Sequence, residues 1–301
     1  MTETALLAGA VDLHRHGYPE ISLASGPPRD DVEDLRLCRQ AGMHGVVLKS
    51  HVWPTVGRAY LLAQQVPDLE VYGSITLNSA AGGLVPAMVE LAALQGARVL
   101  YLPTWSSAND QARCGISRLI GSELGSTTLG DAPALPVVDD RGRLLPEVRD
   151  CLAVAADFNM LVYTGHLAVA EAHAVAESGL AGGRLVFSHP DSHSIGATVD
   201  DAVAVADAGA YVEITAVGTY PEIARTTPSA LAKLVEAVGA HRCVLTSDYF
   251  FSWSPPSTRM LLDLAEGLLA NGIDSAGVRA MLVDNPRRLL GLPAYRPRTR
   301  T

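Results

Sequence analysis

Short apolar runs recur along the chain, and each is followed by a longer stretch whose Ala, Leu and Val fall at helical spacing. The runs Ala10–His16, Gly45–His51, Glu70–Leu77, Ala97–Pro103, Met160–His166, Arg184–His189, Ala210–Thr215 and Arg242–Asp248 predict eight strands. Between them Arg29–Ala41, Thr55–Val66, Gly83–Leu94, Glu147–Asp157, Ala168–Ser178, Val199–Ala208 and Pro228–Gly239 predict helices, and Ser257–Asn271 predicts another after the eighth strand. Continuous apolar strands alternating with helices indicate a parallel sheet buried on both faces. Eight such units close a (β/α)8 TIM barrel of the α/β class, so residues 1–301 are expected to form a single barrel domain. An open, doubly wound sheet is the competing arrangement.

One stretch breaks the regularity. Some 40 residues, Thr104–Pro146, separate strand four from its helix, with a hairpin expected over Val137–Leu145. A long connection after a barrel strand lies on the catalytic face, which makes this insertion a candidate lid. The polar residues Arg296–Thr301 are expected to fray.

Hydrophobic residues make up 48% of the chain, ample for one large core. The net charge of −9 argues against nucleic-acid and anionic-membrane partners. No apolar run approaches the roughly 20 residues of a membrane span. Met1–Thr4 lacks the basic-then-apolar order of a signal peptide. The four cysteines (Cys38, Cys114, Cys151, Cys243) are scattered without a Cys-x-x-Cys pair, as in a reduced cytoplasmic protein. Self-association into a homo-oligomer is left open.

Chemistry in such barrels sits where the strands end. Strand one ends in His14 and His16, strand two in Lys49 and His51, strand five in His166, strand six in His189, and strand eight in Asp248. Alternation along a strand puts His14 and His16 on one face, with Asp12 below to orient them or to cap the barrel floor. Five of the nine histidines therefore share one rim. His193, four residues after His189, is either a further ligand or a loop residue, and Glu213 on strand seven reads as a supporting group. His44, His173 and His241 are expected at the surface or the bottom face. Imidazole and carboxylate are ligands of divalent zinc, iron, manganese and nickel. Five or six of them exceed the needs of one tetrahedral zinc, so two metal ions are expected. Aromatic residues crowd the same rim: Trp53, Trp105, Tyr220, Tyr249, Phe250, Phe251 and Trp253. They suggest an apolar wall against a small-molecule substrate, with Trp53, Trp105, Tyr249, Phe250 and Trp253 as the contact residues.

His-x-His on strand one, His on five and six, and Asp on eight resemble the amidohydrolase superfamily. The closing Asn285-Pro286-Arg287-Arg288-Leu289-Leu290-Gly291 resembles its terminal Asn-Pro-x-x-Leu-x-Gly segment. The resemblance implies that His14, His16, His166, His189 and Asp248 bind metal or move protons, with Asp248 both ligand and general base. Strand four departs from it, since Val99-Leu100-Tyr101-Leu102-Pro103-Thr104-Trp105 offers neither the bridging carboxylated lysine nor a glutamate. Lys49 is the available lysine, either carboxylated and bridging or cationic and binding substrate, and His51 is an added ligand. Lys-x-His on strand two resembles a narrower amidohydrolase-like family, and also the TIM-barrel non-heme diiron monooxygenases of diterpenoid biosynthesis. The latter implies two iron ions, dioxygen, an external electron donor, and hydroxylation of a bulky apolar, terpenoid-like or CoA-linked molecule. That function is the leading expectation. Metal-dependent hydrolysis of an amide, ester or lactone, with zinc or manganese in place of iron, is the alternative.

Overall fold

The computed structural model describes residues 6–23, 26–28, 30–124 and 132–296. Eight parallel strands are hydrogen-bonded in sequence order, β1 (Val11–His16), β2 (Gly45–Lys49), β3 (Glu70–Thr76), β4 (Ala97–Tyr101), β5 (Leu161–Tyr163), β6 (Leu185–Phe187), β7 (Tyr211–Thr215) and β8 (Cys243–Thr246). The circle is closed between β8 and β1. The His14 carbonyl accepts from the Asp248 N–H and the Tyr249 carbonyl from the His16 N–H, both at 2.9 Å. The expected (β/α)8 barrel is therefore formed.

Helices alternate with the strands and start where local chemistry satisfies their free N–H groups. Asp30 caps Asp31–Gln40 and Thr198 caps Val199–Asp207, while Pro86, Pro146 and Pro228 occupy first turns, where the missing N–H costs nothing. β5 and β6 are shorter than expected. After β5 the chain turns at Gly165, whose φ of +63° favours glycine, and a Cβ there would collide with the Leu102 and Pro103 carbonyls. That turn aims His166 at the barrel mouth.

The core has two shells. Between barrel and helices lies a large aliphatic layer including Leu35, Leu48, Leu100, Val148, Val205 and Leu261. Inside the barrel Val11, Leu13, Val47, Val99, Leu161, Val186 and Val244 pack below Tyr101 and Tyr163. Leu289 and Leu290 seal the bottom, and the Asn285 side-chain amide fixes their segment by donating to the Ala240 and Cys243 carbonyls at 2.9 and 2.8 Å. The terminal motif is thus the barrel's floor.

The insertion after β4 contains two helices, Ala108–Ala112 and Ile116–Leu124, that the pattern did not predict. The expected hairpin is present, with an antiparallel bridge between Val138 and Leu144. The expected frayed tail lies outside the described residues beyond Arg296, and no helix among the described residues is long and apolar enough to cross a membrane.

Candidate metal centre

β1 carries the first imidazoles, and a bulge decides how. Its register against β2 shifts between Asp12 and Arg15, so strict alternation fails there. His14 and His16 both reach the rim, with ring centroids 5.5 Å apart. Asp12 neither orients them nor caps the floor, contrary to expectation. Its carboxylate accepts from the Ser247 hydroxyl at 2.5 Å and from the Ser247 and His14 backbone N–H groups at 3.2 Å, tying β1 to β8. Arg15 points outward, buried beside Asp31 and Asp34.

Five imidazoles form a closed circuit. Centroid distances run 5.5 Å from His14 to His16, 4.5 Å to His51, 6.5 Å to His166, 4.9 Å to His189 and 5.8 Å back to His14. Asp248 belongs to the same cluster, its Oδ1 3.1 Å from His14 Nε2 and 3.5 Å from His16 Nε2. Its backbone φ is +47°, a cost of order 1–3 kcal/mol carried at the functional rim.

Buried carboxylates hold three of these rings from behind by Nδ1. Glu213 accepts from His14 at 2.8 Å, Glu20 from His51 at 2.9 Å, and Asp110 from His166 at 2.7 Å. His16 Nδ1 also stands 3.2 Å from Glu20. Metal-binding histidines are commonly held in this way, since the carboxylate fixes the tautomer and leaves Nε2 facing the metal. Glu20 and Asp110 were missed by sequence reasoning. Glu20 lies in the loop after β1 and Asp110 in the short helix Ala108–Ala112 after β4, and acidic residues in the connections that follow strand ends are the signal that would find them. Ser107 caps the short helix bearing Asp110, the Ser117 N–H donates to its carboxylate at 2.8 Å, and Gly115 lies so close that a Cβ would strike it.

The electrostatics suit a cation. Burial, with Lys49 nearby, holds His14 well below the usual imidazole range, and burial, with His16 nearby, pulls His51 down to about 3. With its proton on Nδ1 facing Glu213, neutral His14 presents a lone pair at Nε2. Two acceptors, that lone pair and Asp248 Oδ1, then face each other at 3.1 Å. Burial opposes ionisation of Asp248, and protonated imidazoles at His14, His16 and His189 would outweigh it and hold its pKa well below the carboxylate range. Both ring nitrogens of His16 are buried without a hydrogen-bond partner. The His14 lone pair accepts from Lys49 Nζ, and a divalent ion taking the ammonium's place would meet it beside the Asp248 carboxylate. His14, His16 and Asp248 bring ligand atoms within 4.8 Å of one another, and so do His14, His189 and Glu213, and His16, Glu20 and His51. Lys49 Nζ donates to His14 Nε2 at 2.9 Å and lies 5.0 Å above the Tyr101 ring. Burial lowers its pKa, against the raising pull of Asp248 and Glu213.

A cavity of about 280 Å³ opens above the centre, bordered by Lys49, His51, His166, His189 and Asp248. Cys114, Ile116 and Leu119 of the insertion form part of its wall.

Residues 9–213 match a family of unknown function, DUF6282. The chain belongs to that family. Residues 184–292 of this DUF6282 member match the amidohydrolase family, a stretch that holds His189, Asp248 and the floor motif. An amidohydrolase from Pseudomonas aeruginosa is 12% identical, covering 96% of this chain and 98% of that chain with a TM-score of 0.63. An organophosphorus hydrolase from Deinococcus radiodurans, solved as a mutant, is 17% identical, covering 95% and 94% with a TM-score of 0.60. A 2,6-dihydroxybenzoate decarboxylase is 11% identical, covering 95% and 100% with a TM-score of 0.58. These likenesses establish the (β/α)8 barrel fold. No curated protein sequence matches the chain. The resemblance to diiron monooxygenases is not supported by these comparisons.

Most of the expected aromatic contacts of this DUF6282 barrel lie off the cavity. Trp53 is 70% exposed and lines a separate surface groove with Met88 and Leu91. Trp105 is buried, donating from Nε1 to the His51 carbonyl at 3.0 Å, so it braces a candidate ligand. Tyr249 is fully buried on the outer face, 5.3 Å from the Arg15 guanidinium. Trp253 stacks on Phe251 at 5.3 Å, one layer behind the wall, and Tyr220 packs against Trp253. Phe250 does border the cavity, edge-on to His16 and His51, together with Phe251. His193 is exposed at the cavity edge and belongs to none of the three ligand groups. His44 is half-buried at the bottom face, and His173 and His241 lie away from the rim.

Proposed function

We propose that the chain is a dinuclear metal-dependent hydrolase that opens a compact amide, ester or lactone. The observation that carries this reading is the imidazole circuit around Asp248, braced from behind by Glu20, Asp110 and Glu213. His14, His16 and Asp248 would hold one divalent ion, and His51, His166 and His189 the other. Zinc, manganese and iron all accept this donor set. Such ions supply Lewis acidity toward a carbonyl and toward water.

The chain's own residues do the rest. Asp248 takes the proton of the attacking water at its carboxylate and returns it to the leaving nitrogen or oxygen. Lys49, kept cationic, places Nζ where negative charge builds on the carbonyl oxygen. Phe250, Phe251, Ile116 and Leu119 keep bulk water away from the reacting bond.

Two observations favour hydrolysis over hydroxylation of a bulky molecule. The cavity, at about 280 Å³, lies just below the roughly 300–1,000 Å³ typical of ligand pockets, which suits a compact substrate. The aromatic wall that suggested a large apolar substrate also reduces to Phe250 and Phe251. The test is anaerobic turnover of a panel of small lactones, esters and amides by protein loaded separately with zinc, manganese or iron. Hydrolysis without dioxygen is expected. Conversion only by iron-loaded protein with dioxygen and a reductant, and no anaerobic hydrolysis with any of the three metals, would overturn the reading.

A further inference from the structure

The cavity above the metal centre has two formal cations on its wall, Lys49 and Arg225. Lys49 is engaged by His14. Arg225 is placed quite differently. It follows β7 in a loop where its own backbone N–H and that of Thr226 both donate to the Gly218 carbonyl, at 3.0 and 3.2 Å. Its guanidinium Nε and Nη2 are buried and have no hydrogen-bond partner. Asp191, past the end of β6, stands 3.4 Å from Nε, well beyond the roughly 2.7–2.9 Å of a charge-assisted hydrogen bond. Both Asp191 carboxylate oxygens are likewise buried without a hydrogen-bond partner. Gly218 lets the pair come so near, since a Cβ there would stand 2.6 Å from Asp191 Oδ2 and 3.2 Å from Arg225 Nη2.

The Nε–Nη2 edge is thus turned to Asp191, and the 21% of the side chain that stays accessible, on the cavity wall, is what a ligand can reach. An accessible guanidinium N–H on a cavity wall is a receptor for a carboxylate. Ile116, Leu119, Ile223 and Phe251 form an apolar part of the outer wall that suits a short hydrocarbon body, beside the polar Ser192, His193 and Ser194. We propose that Arg225 anchors a carboxylate of the substrate, so that the substrate is a compact acyl compound carrying a free carboxylate away from the bond that is cut. The cut bond rests on the hydrolase reading; the carboxylate anchor does not.

Two matched pairs of probes separate these claims. Binding of monomethyl adipate and dimethyl adipate to the metal-loaded protein is measured by calorimetry. Turnover is measured on the p-nitrophenyl half-ester of adipic acid and on p-nitrophenyl hexanoate. The wild-type chain is expected to favour the carboxylate member of each pair by about tenfold or more, the scale of one charged hydrogen bond. Arg225→Met should erase that preference while changing the neutral member less than about twofold, and Arg225→Lys should keep part of it. Circular dichroism and metal content verify that each variant is folded and loaded, and Arg225→Gln replaces Arg225→Met if that variant fails to fold. An undiminished carboxylate preference in the variants, or none in the wild type, overturns the anchor. If Arg225 governs binding but neither ester is cleaved, the anchor stands and the hydrolase reading falls. Cleavage of both esters with equal efficiency, and equal binding of both adipates, has the opposite meaning.

Discussion

Asp110 accepts a hydrogen bond from His166 Nδ1 at 2.7 Å, so a carboxylate from the segment inserted after β4 holds an imidazole supplied at the end of β5. The same segment sends Ile116 and Leu119 to the cavity wall. Burial opposes ionisation of Asp110, yet the His166 imidazole and the Ser117 donors hold its pKa low, so it stays a charged acceptor.

Asp110→Asn keeps the shape but loses the charge, and Asp110→Ala loses both. Each should weaken metal binding by about 10–100-fold, the usual effect of removing a carboxylate behind a ligating histidine. Competition with a chelator of known affinity measures it. Unchanged affinity in both variants would show that Asp110 does not set His166 for a metal.

His14→Ala and Asp248→Ala should each strip most of the metal and leave a folded barrel, because the interior packing of Val11, Leu13, Val47 and Val244 lies below the centre. Metal analysis beside circular dichroism reads both effects. Full metal occupancy in either variant removes that residue from the ligand set.

Lys49→Met tests whether the lysine acts as a cation. A cationic Lys49 predicts that the variant keeps its metal and loses about a hundredfold or more in kcat, the scale of one lost donor to a developing oxyanion. Added bicarbonate should change neither wild-type metal uptake nor activity. Loss of both ions in the variant, with bicarbonate-dependent loading of the wild type, would instead establish a carboxylated bridge.

The imidazoles were legible because each ends an apolar run, and parallel strands of one barrel all present their ends at one rim. The bracing carboxylates were not. Glu20 reaches the rings from a loop and Asp110 from a helix of five residues, too short to show periodicity, and the approach of Asp110 depends on contacts such as the Ser107 cap and the close passage of Gly115. Asp12 was misjudged because the β1 bulge interrupts the alternation that the reasoning relied on. Counting aromatics ignored alternation in the other direction. Asp248 and Phe250 border the cavity, while the intervening Tyr249 turns outward to Arg15.

Burial raises the Asp12 carboxyl to about 7, against about 3.9 for an unperturbed aspartate. Between those values the folded chain holds a proton that the unfolded chain has released. Stability from this group is therefore present below about pH 4 and is lost as pH rises to about 7. Asp12→Asn removes that titration and still accepts from Ser247. Urea unfolding of the metal-free protein should give a wild-type-minus-variant free energy that falls across this window and is level above it. A difference that is flat, or that rises with pH, contradicts the burial argument.

Gly165→Ala places a Cβ against the Leu102 and Pro103 carbonyls on a backbone at φ +63°. A destabilisation of roughly 1–3 kcal/mol is expected from the backbone alone, with weaker metal binding because His166 is displaced. Unfolding and chelator competition on the same variant check the two effects together. Wild-type stability would mean that the turn is not constrained as described.

Leu289 and Leu290 belong to the inner shell of the barrel although about 40 residues separate them from β8. During synthesis all eight strands leave the ribosome before the plug that seals their lower end. Until residues 285–290 have left the ribosome, Val11, Val99 and Val244 lack their cover from below, and Asn285 has not yet joined the Ala240 and Cys243 carbonyls. Final closure of this barrel is therefore a late event in the life of the chain, and the open-bottomed state before it is where a chaperone would find apolar surface to hold.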